Sequence, residues 1–145
     1  MSIKGANGMG RFSVDFQVAN YADMLLADRG VMPRDQVRRQ TISGVVDPGA
    51  ATLVLPQATV KELGLPPGDK IKVRYADGRR SQRSQAEAAY IELLGRHGMF
   101  TAVVKPKCKT ARVGAIVLEA LDLLVDSKHQ RLIPRDPKGP IYEIE

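Results

Sequence analysis

Phe12, Val14, Phe16 and Val18 alternate with Ser13, Asp15 and Gln17, the period of a half-buried strand over residues 11–19. Residues 20–33 keep no single period. Met24, Leu25 and Leu26 suit a short helix or a continued hairpin, and Gly30 marks a turn. A second strand is expected over 37–46, followed by Asp47-Pro48-Gly49 and a return to apolar residues at 53–55. Pro56 suits the first position of a short helix whose apolar face is Ala58, Val60 and Leu63, with Gly64 as its left-handed cap. Pro66-Pro67-Gly68-Asp69 is a turn cluster. Ile71, Val73 and Tyr75 share one face of a strand over 70–75, and Asp77-Gly78 is a hairpin signal answered by a returning strand over 86–94. A further turn is expected over 95–98, a strand over 99–104 stopped by Pro106, and a helix over 113–121. Short strands over 122–126 and 130–133 lead through a loop to a terminal strand over 141–144. Many short strands with one or two short helices predict a mostly-β fold closed or folded on itself.

A length of 145 residues suggests one domain. With 43% hydrophobic and 26% charged residues, the chain has an ordinary globular composition. No apolar run approaches a membrane span, and residues 1–10 lack a signal-peptide core, so a cytoplasmic location is expected. The single Cys108 excludes an intrachain disulfide and reads as an unremarkable thiol. His97 and His129 are far apart in turn-like contexts, so no metal and no cofactor is expected. The net charge of +6 permits attraction to nucleic acid or acidic partners. Its clusters are Arg79, Arg80 and Arg83, and then Lys105, Lys107, Lys109 and Arg112. Neither contains an aromatic for base stacking, so both are read as solvated surface, with nucleic acid the lesser expectation.

Asp47 is the residue that this pattern leaves unexplained. An ionised carboxylate set between two apolar runs is costly unless it is paired or solvated. It is either a turn residue facing water, as in any Asp-Pro-Gly turn, or a working group.

Val45-Val46-Asp47-Pro48-Gly49-Ala50 resembles the catalytic turn of the retropepsin-like aspartic proteases, in which Thr or Ser usually follows the acid. Residues 55–65 are similar to the segment that follows it in bacterial single-lobe members. Ala111-Arg112-Val113-Gly114 with residues 118–121 resembles the family's second-half element and helix, and residues 121–126 are also typical of bacterial relatives. The resemblance runs from about Phe12 to Pro134. It implies a β-barrel, a flap around Ala76, Asp77, Gly78 and Arg79, and hydrolysis of peptide bonds by two aspartates sharing a proton across a water. Like charges a few ångströms apart cannot both ionise easily, which separates the roles of acid and base. One such turn supplies one acid, so a homodimer is implied, with Asp47 catalytic and Gly49 and Ala50 shaping its turn. Asp126, the intrachain rival, lacks a following glycine and reads as structural.

Two departures qualify the resemblance. Pro48 has neither the hydroxyl nor the N–H that bonds the two subunits beneath the acids in this family, so activity is expected to be weak or absent. Arg112 stands where relatives carry an apolar residue and must reach water or find a partner. The expected organisation is a flexible arm over 1–10, a protease domain over 11–134, and a tail over 135–145 that contributes to dimer contact. The alternative is a non-catalytic module on the same fold that binds peptide or nucleic acid.

Overall fold

The computed structural model describes residues 11–145; the arm expected over 1–10 lies outside them. The chain runs β1 (Phe12–Asn20), α1 (Tyr21–Asp28), a 3-10 turn (Arg34–Gln36), β2 (Arg39–Val46), β3 (Leu53–Pro56) and α2 (Gln57–Leu63). It continues through β4 (Ile71–Arg74), β5 (Arg80–Arg83), β6 (Gln85–Leu93), β7 (Arg96–Lys105), β8 (Ala111–Val113) and α3 (Ala115–Ala120), ending with β9 (Leu123–Asp126) and β10 (Arg131–Pro134). Six strands close a barrel in the order β1-β2-β8-β3-β7-β6, and β4-β5 and β9-β10 form separate two-stranded sheets. The mostly-β barrel expected from the sequence is the fold, with three short α-helices rather than one or two.

Alternation sets the barrel wall. Phe16 and Val18 of β1 point inward with Val46, Leu53, Leu55, Ile91, Val113 and Val117, all of them buried. Two of the pairings are parallel, β2 with β8 and β3 with β7. Both join segments far apart in sequence, which local periodicity does not report. Gly44 of β2 lies under the Phe16 ring, and a Cβ there would stand 2.7 Å from a ring carbon.

The ambiguous segment after β1 is a helix, but its apolar triplet does not face the core. Leu25 and Leu26 are 42% and 41% exposed, while Asp23 and Ala27 are buried. Asp23 turns inward because Arg38 meets it three times, through the backbone N–H (3.1 Å), Nε (2.8 Å) and Nη2 (3.0 Å). Asn20 completes this corner by accepting the Asp23 N–H (3.0 Å) as helix cap and donating to the Leu63 carbonyl (2.8 Å). The Arg38 side chain also packs on Gly64, whose φ of +61° forms the expected cap of α2.

Hydrogen bonding by the Arg38 side chain holds the Asp23 carboxyl below its usual range, against the opposing effect of burial. A depressed carboxylate pKa stabilises the fold above the unfolded value, and that contribution is lost as pH falls through the folded value. Wild type should therefore lose stability steeply below about pH 4. Arg38→Ala should destabilise the fold at neutral pH and flatten that acid limb, measured by urea unfolding across pH. An unchanged acid limb in Arg38→Ala would remove Asp23 as its source.

Other expectations need correction. In α2 Leu63 is buried and Val60 packs against the core as expected, but Thr59 is buried and Ala58 exposed, and Pro56 is the N-cap while the helix begins at Gln57. The strand returning from Asp77-Gly78 is β5, four polar residues that pair Ile71↔Arg83 through Arg74↔Arg80. Residues 86–93 belong to the next strand, β6. The turn expected over 95–98 lies at Leu94-Gly95, both with positive φ, so Arg96, His97 and Gly98 lie in β7. Arg96 is buried and donates to the carbonyls of Leu121 (3.1 Å) and Asp122 (3.0 Å). Val113 ends a strand, so the helix expected from 113 begins at Ala115.

Residues 141–144 form no strand. Ile141 is tied through its N–H to Asp122 Oδ2 (3.0 Å) and the Tyr142 hydroxyl donates to the Ala120 carbonyl. The tail thus folds back on the α3–β9 corner. Among the described residues, no helix is long and apolar enough to cross a membrane.

Candidate functional site

β2 runs inward to Val46, which is fully buried, and the chain turns at the next residue. The Asp47 N–H donates to the Val113 carbonyl (3.0 Å), continuing the parallel β2–β8 ladder by one bond. The Ala50 N–H donates to the Asp47 carbonyl (3.0 Å), closing a four-residue turn whose second position is Pro48. Proline suits that position because its φ is already set. The turn's far side is held by α3, whose Ala115 and Ile116 N–H groups donate to the carbonyls of Ala50 (2.8 Å) and Ala51 (3.0 Å).

Asp47 is 5% exposed. Its two oxygens have different partners. Oδ1 accepts the Gly49 N–H (3.1 Å), so the backbone of the turn orients the carboxylate. Oδ2 meets Arg112 Nη1 at 2.5 Å and Arg11 Nη2 at 3.6 Å. Arg112 is the partner-seeking residue of the sequence, and its partner is the acid itself. This pairing explains how a carboxylate is tolerated under apolar strands: it is hydrogen-bonded on one oxygen and ion-paired on the other.

Val113 and Gly114 join this turn to the second-half element. A Cβ on Gly114 would lie 2.3 Å from the Thr52 carbonyl oxygen and 2.7 Å from that of Ala50, both backbone atoms that cannot step aside. Gly114→Ala should therefore displace the loop carrying Asp47 and cost about 2–3 kcal/mol. Denaturant unfolding measures it. A change within about 0.5 kcal/mol would mean that the two backbones are free to part.

Asp47, Gly49 and Ala50 line a groove of about 870 Å³. The β4–β5 hairpin contributes Val73, Arg74, Tyr75, Ala76, Asp77 and Arg83 to its lining. Val103 and Lys105 of β7 also line the groove. Of the four hairpin residues singled out in the sequence, Ala76 and Asp77 line the groove, while Gly78 and Arg79 form the turn beyond it. The Arg79 backbone N–H, followed by its guanidinium, lowers the Asp77 carboxyl below its usual range and stiffens that turn. Pro48 and Gly49 are exposed at the tip of the acid turn.

Asp126 does not line the groove. It bonds His129 and Arg131 within the β9–β10 hairpin, and the His129 hydrogen bond is the main cause of its lowered pKa. His97 stacks on Tyr90 at 5.5 Å between centroids.

Sequence reasoning missed Arg11, Arg74, Tyr75 and Arg83 as groove residues and the Arg112–Asp47 pair. One signal was present: Arg112 as a charge at an apolar position. Its destination depended on β8 pairing beside β2, across 65 residues.

A family profile described as aspartyl protease matches residues 36–131, a span that includes the acid turn, the hairpin and the second-half element. Among solved structures, the EIAV protease in complex with the inhibitor HBY-793 is 22% identical, with a TM-score of 0.45, over 55% of this chain and 76% of that one. That likeness is too loose to carry detail from one site to the other. No curated protein matches the chain. With a profile match over well over half its length, the chain belongs to the aspartyl protease family.

Proposed function

We propose that this protein is a retropepsin-like peptidase homologue that works as a homodimer, with Asp47 of each protomer forming a dyad weakened or silenced by Pro48. The observation that carries this reading is the placement of Asp47. It is a buried carboxylate, oriented by the Gly49 N–H, in a groove that the β4–β5 hairpin also lines.

In the proposed reaction a water bridges the two carboxylates. One takes a proton from the water as its oxygen bonds the peptide carbonyl carbon, and the protonated twin donates to the carbonyl oxygen. Collapse of the tetrahedral intermediate breaks the C–N bond as a proton passes to the leaving nitrogen. Gly49 and Ala50 hold the turn, and Val113 and Gly114 brace it from beneath. The β4–β5 hairpin serves as flap: its strands pair only with each other, so it can lift without breaking a barrel hydrogen bond.

Two features support dimerisation beside Asp47. Pro48 and Gly49 are exposed at the turn tip, and the apolar Ile116, 53% exposed, is bonded to Ala51 next to them. The domain would span 11–134, with the tail of 135–145 packed on its own protomer rather than paired as a strand.

The Arg112–Asp47 pair bears on activity. A guanidinium at 2.5 Å neutralises the acid inside one protomer, so it must move aside before two acids can share a proton. That same observation favours a second reading, a peptide-binding module on the protease fold with no turnover. Hydrolysis of a fluorogenic peptide library by wild type, Asp47→Asn and Pro48→Thr, with sedimentation at several concentrations, separates the two. Binding without turnover in all three proteins favours the module. A protein that cleaves as a strict monomer contradicts the dyad.

A further inference from the structure

The basic residues that appear in the sequence as two separate surface clusters meet in the folded chain at the groove. The hairpin segment 70–83 carries six basic side chains against one acid, Asp77. Tyr75 lies at the centre of this charge. The Arg79 guanidinium stands 4.9 Å from its ring centroid, Arg83 5.8 Å, and Lys105, from the second cluster, 5.6 Å. Arg83 Nε also donates to the Tyr75 hydroxyl at 3.1 Å. Tyr75 thus fixes cations from two strands along one wall.

Arg74, Arg83 and Lys105 line the groove with Asp47. Among the described residues none of the three has a carboxylate partner, whereas Arg112 is occupied by Asp47 and Arg79 by Asp77. A groove with three cations that lack a carboxylate partner and two acids, Asp47 and Asp77, that are already paired attracts negative charge. Its low-dielectric walls concentrate that field.

We infer that this groove selects peptides with acidic side chains, whose carboxylates pair with Arg83 and Lys105 while the backbone lies across Asp47. The inference rests on reading the groove as a peptide site and adds the substrate class to it. An extended peptide turns alternate side chains to the same wall, so acids at alternating positions meet Arg83 and Lys105, the two groove cations gathered at the Tyr75 ring. Nucleic acid fits less well: the groove offers one aromatic, and that ring is already covered by cations rather than open for stacking.

The experiment is fluorescence anisotropy with the Asp47→Asn protein, so that cleavage does not intervene. The probes are a labelled peptide with glutamates at alternating positions, its glutamine counterpart, and a labelled oligothymidylate. The glutamate peptide should bind about tenfold more tightly than the glutamine one, and Arg83→Gln with Lys105→Gln should erase most of that difference. Equal binding of the two peptides overturns the inference, as does a preference that survives the double substitution or an oligothymidylate that outcompetes the glutamate peptide. The peptidase reading fails separately: wild type that never cleaves, with the acidic preference intact, removes the reaction and leaves the recognition.

Discussion

Asp47→Asn should abolish hydrolysis while leaving the fold in place. The loss should be at least about a thousandfold in kcat/KM, since in the proposed homodimer the substitution removes both proton-transfer groups of the dyad at once. The stability change should stay within about 1 kcal/mol. Asparagine keeps an oxygen to accept the Gly49 N–H, and the turn's other bonds, from Asp47 N–H to Val113 and from Ala50 N–H to Asp47, are backbone bonds. The two arginines that lose their counter-charge are not trapped, because the Arg112 side chain is 40% exposed and that of Arg11 51%. Each can turn toward water. Urea unfolding and a fluorogenic peptide assay on the same preparation report the two quantities. Full activity in Asp47→Asn would remove Asp47 from the reaction, and collapse of the fold would make it a structural acid.

Pro48→Thr should raise activity by one to two powers of ten and tighten the dimer. The physical basis is the pair of donors that proline lacks, a hydroxyl and a backbone N–H, restored on both sides of the proposed dimer axis. If the restored bonds contribute about 1–3 kcal/mol net, the rate gain follows at about tenfold per 1.4 kcal/mol. The protomer can accept the change because Pro48 is exposed, and the turn is closed by Ala50 bonding Asp47, not by the proline ring. Sedimentation should show a lower dimer dissociation constant alongside the faster hydrolysis. An unchanged rate in Pro48→Thr would mean that the missing donors are not what limits activity. A tighter dimer that still does not cleave would turn attention to Arg112, which holds Asp47 in either variant.

Features written within a few residues were legible in advance. The alternation of Phe12 to Val18, the Asp-Pro-Gly turn between apolar runs, Gly64 as a helix cap and Asp77-Gly78 as a hairpin tip all came through, because each depends on neighbouring dihedrals. The less legible parts were those where a polar partner overrides periodicity. Asp23 is buried while Leu25 and Leu26 are exposed, since Arg38 and Asn20 are placed to meet the acid. Arg96 sits inside because the carbonyls of Leu121 and Asp122 receive it. Residues 141–144 alternate like a strand but find no edge, and their polar groups bond the α3–β9 corner instead.

The sequence by itself determined that an acid stands in a tight turn between apolar strands, with a hairpin and a second apolar-glycine element downstream. Only the tertiary structure decided what surrounds that acid. The β2–β8 pairing brings Arg112 onto Asp47, and the packing of the hairpin beside β7 gathers Arg74, Arg83 and Lys105 along one groove. Charge acts through space over a few ångströms, and which charges come that close is set by strand pairing between residues far apart in the chain.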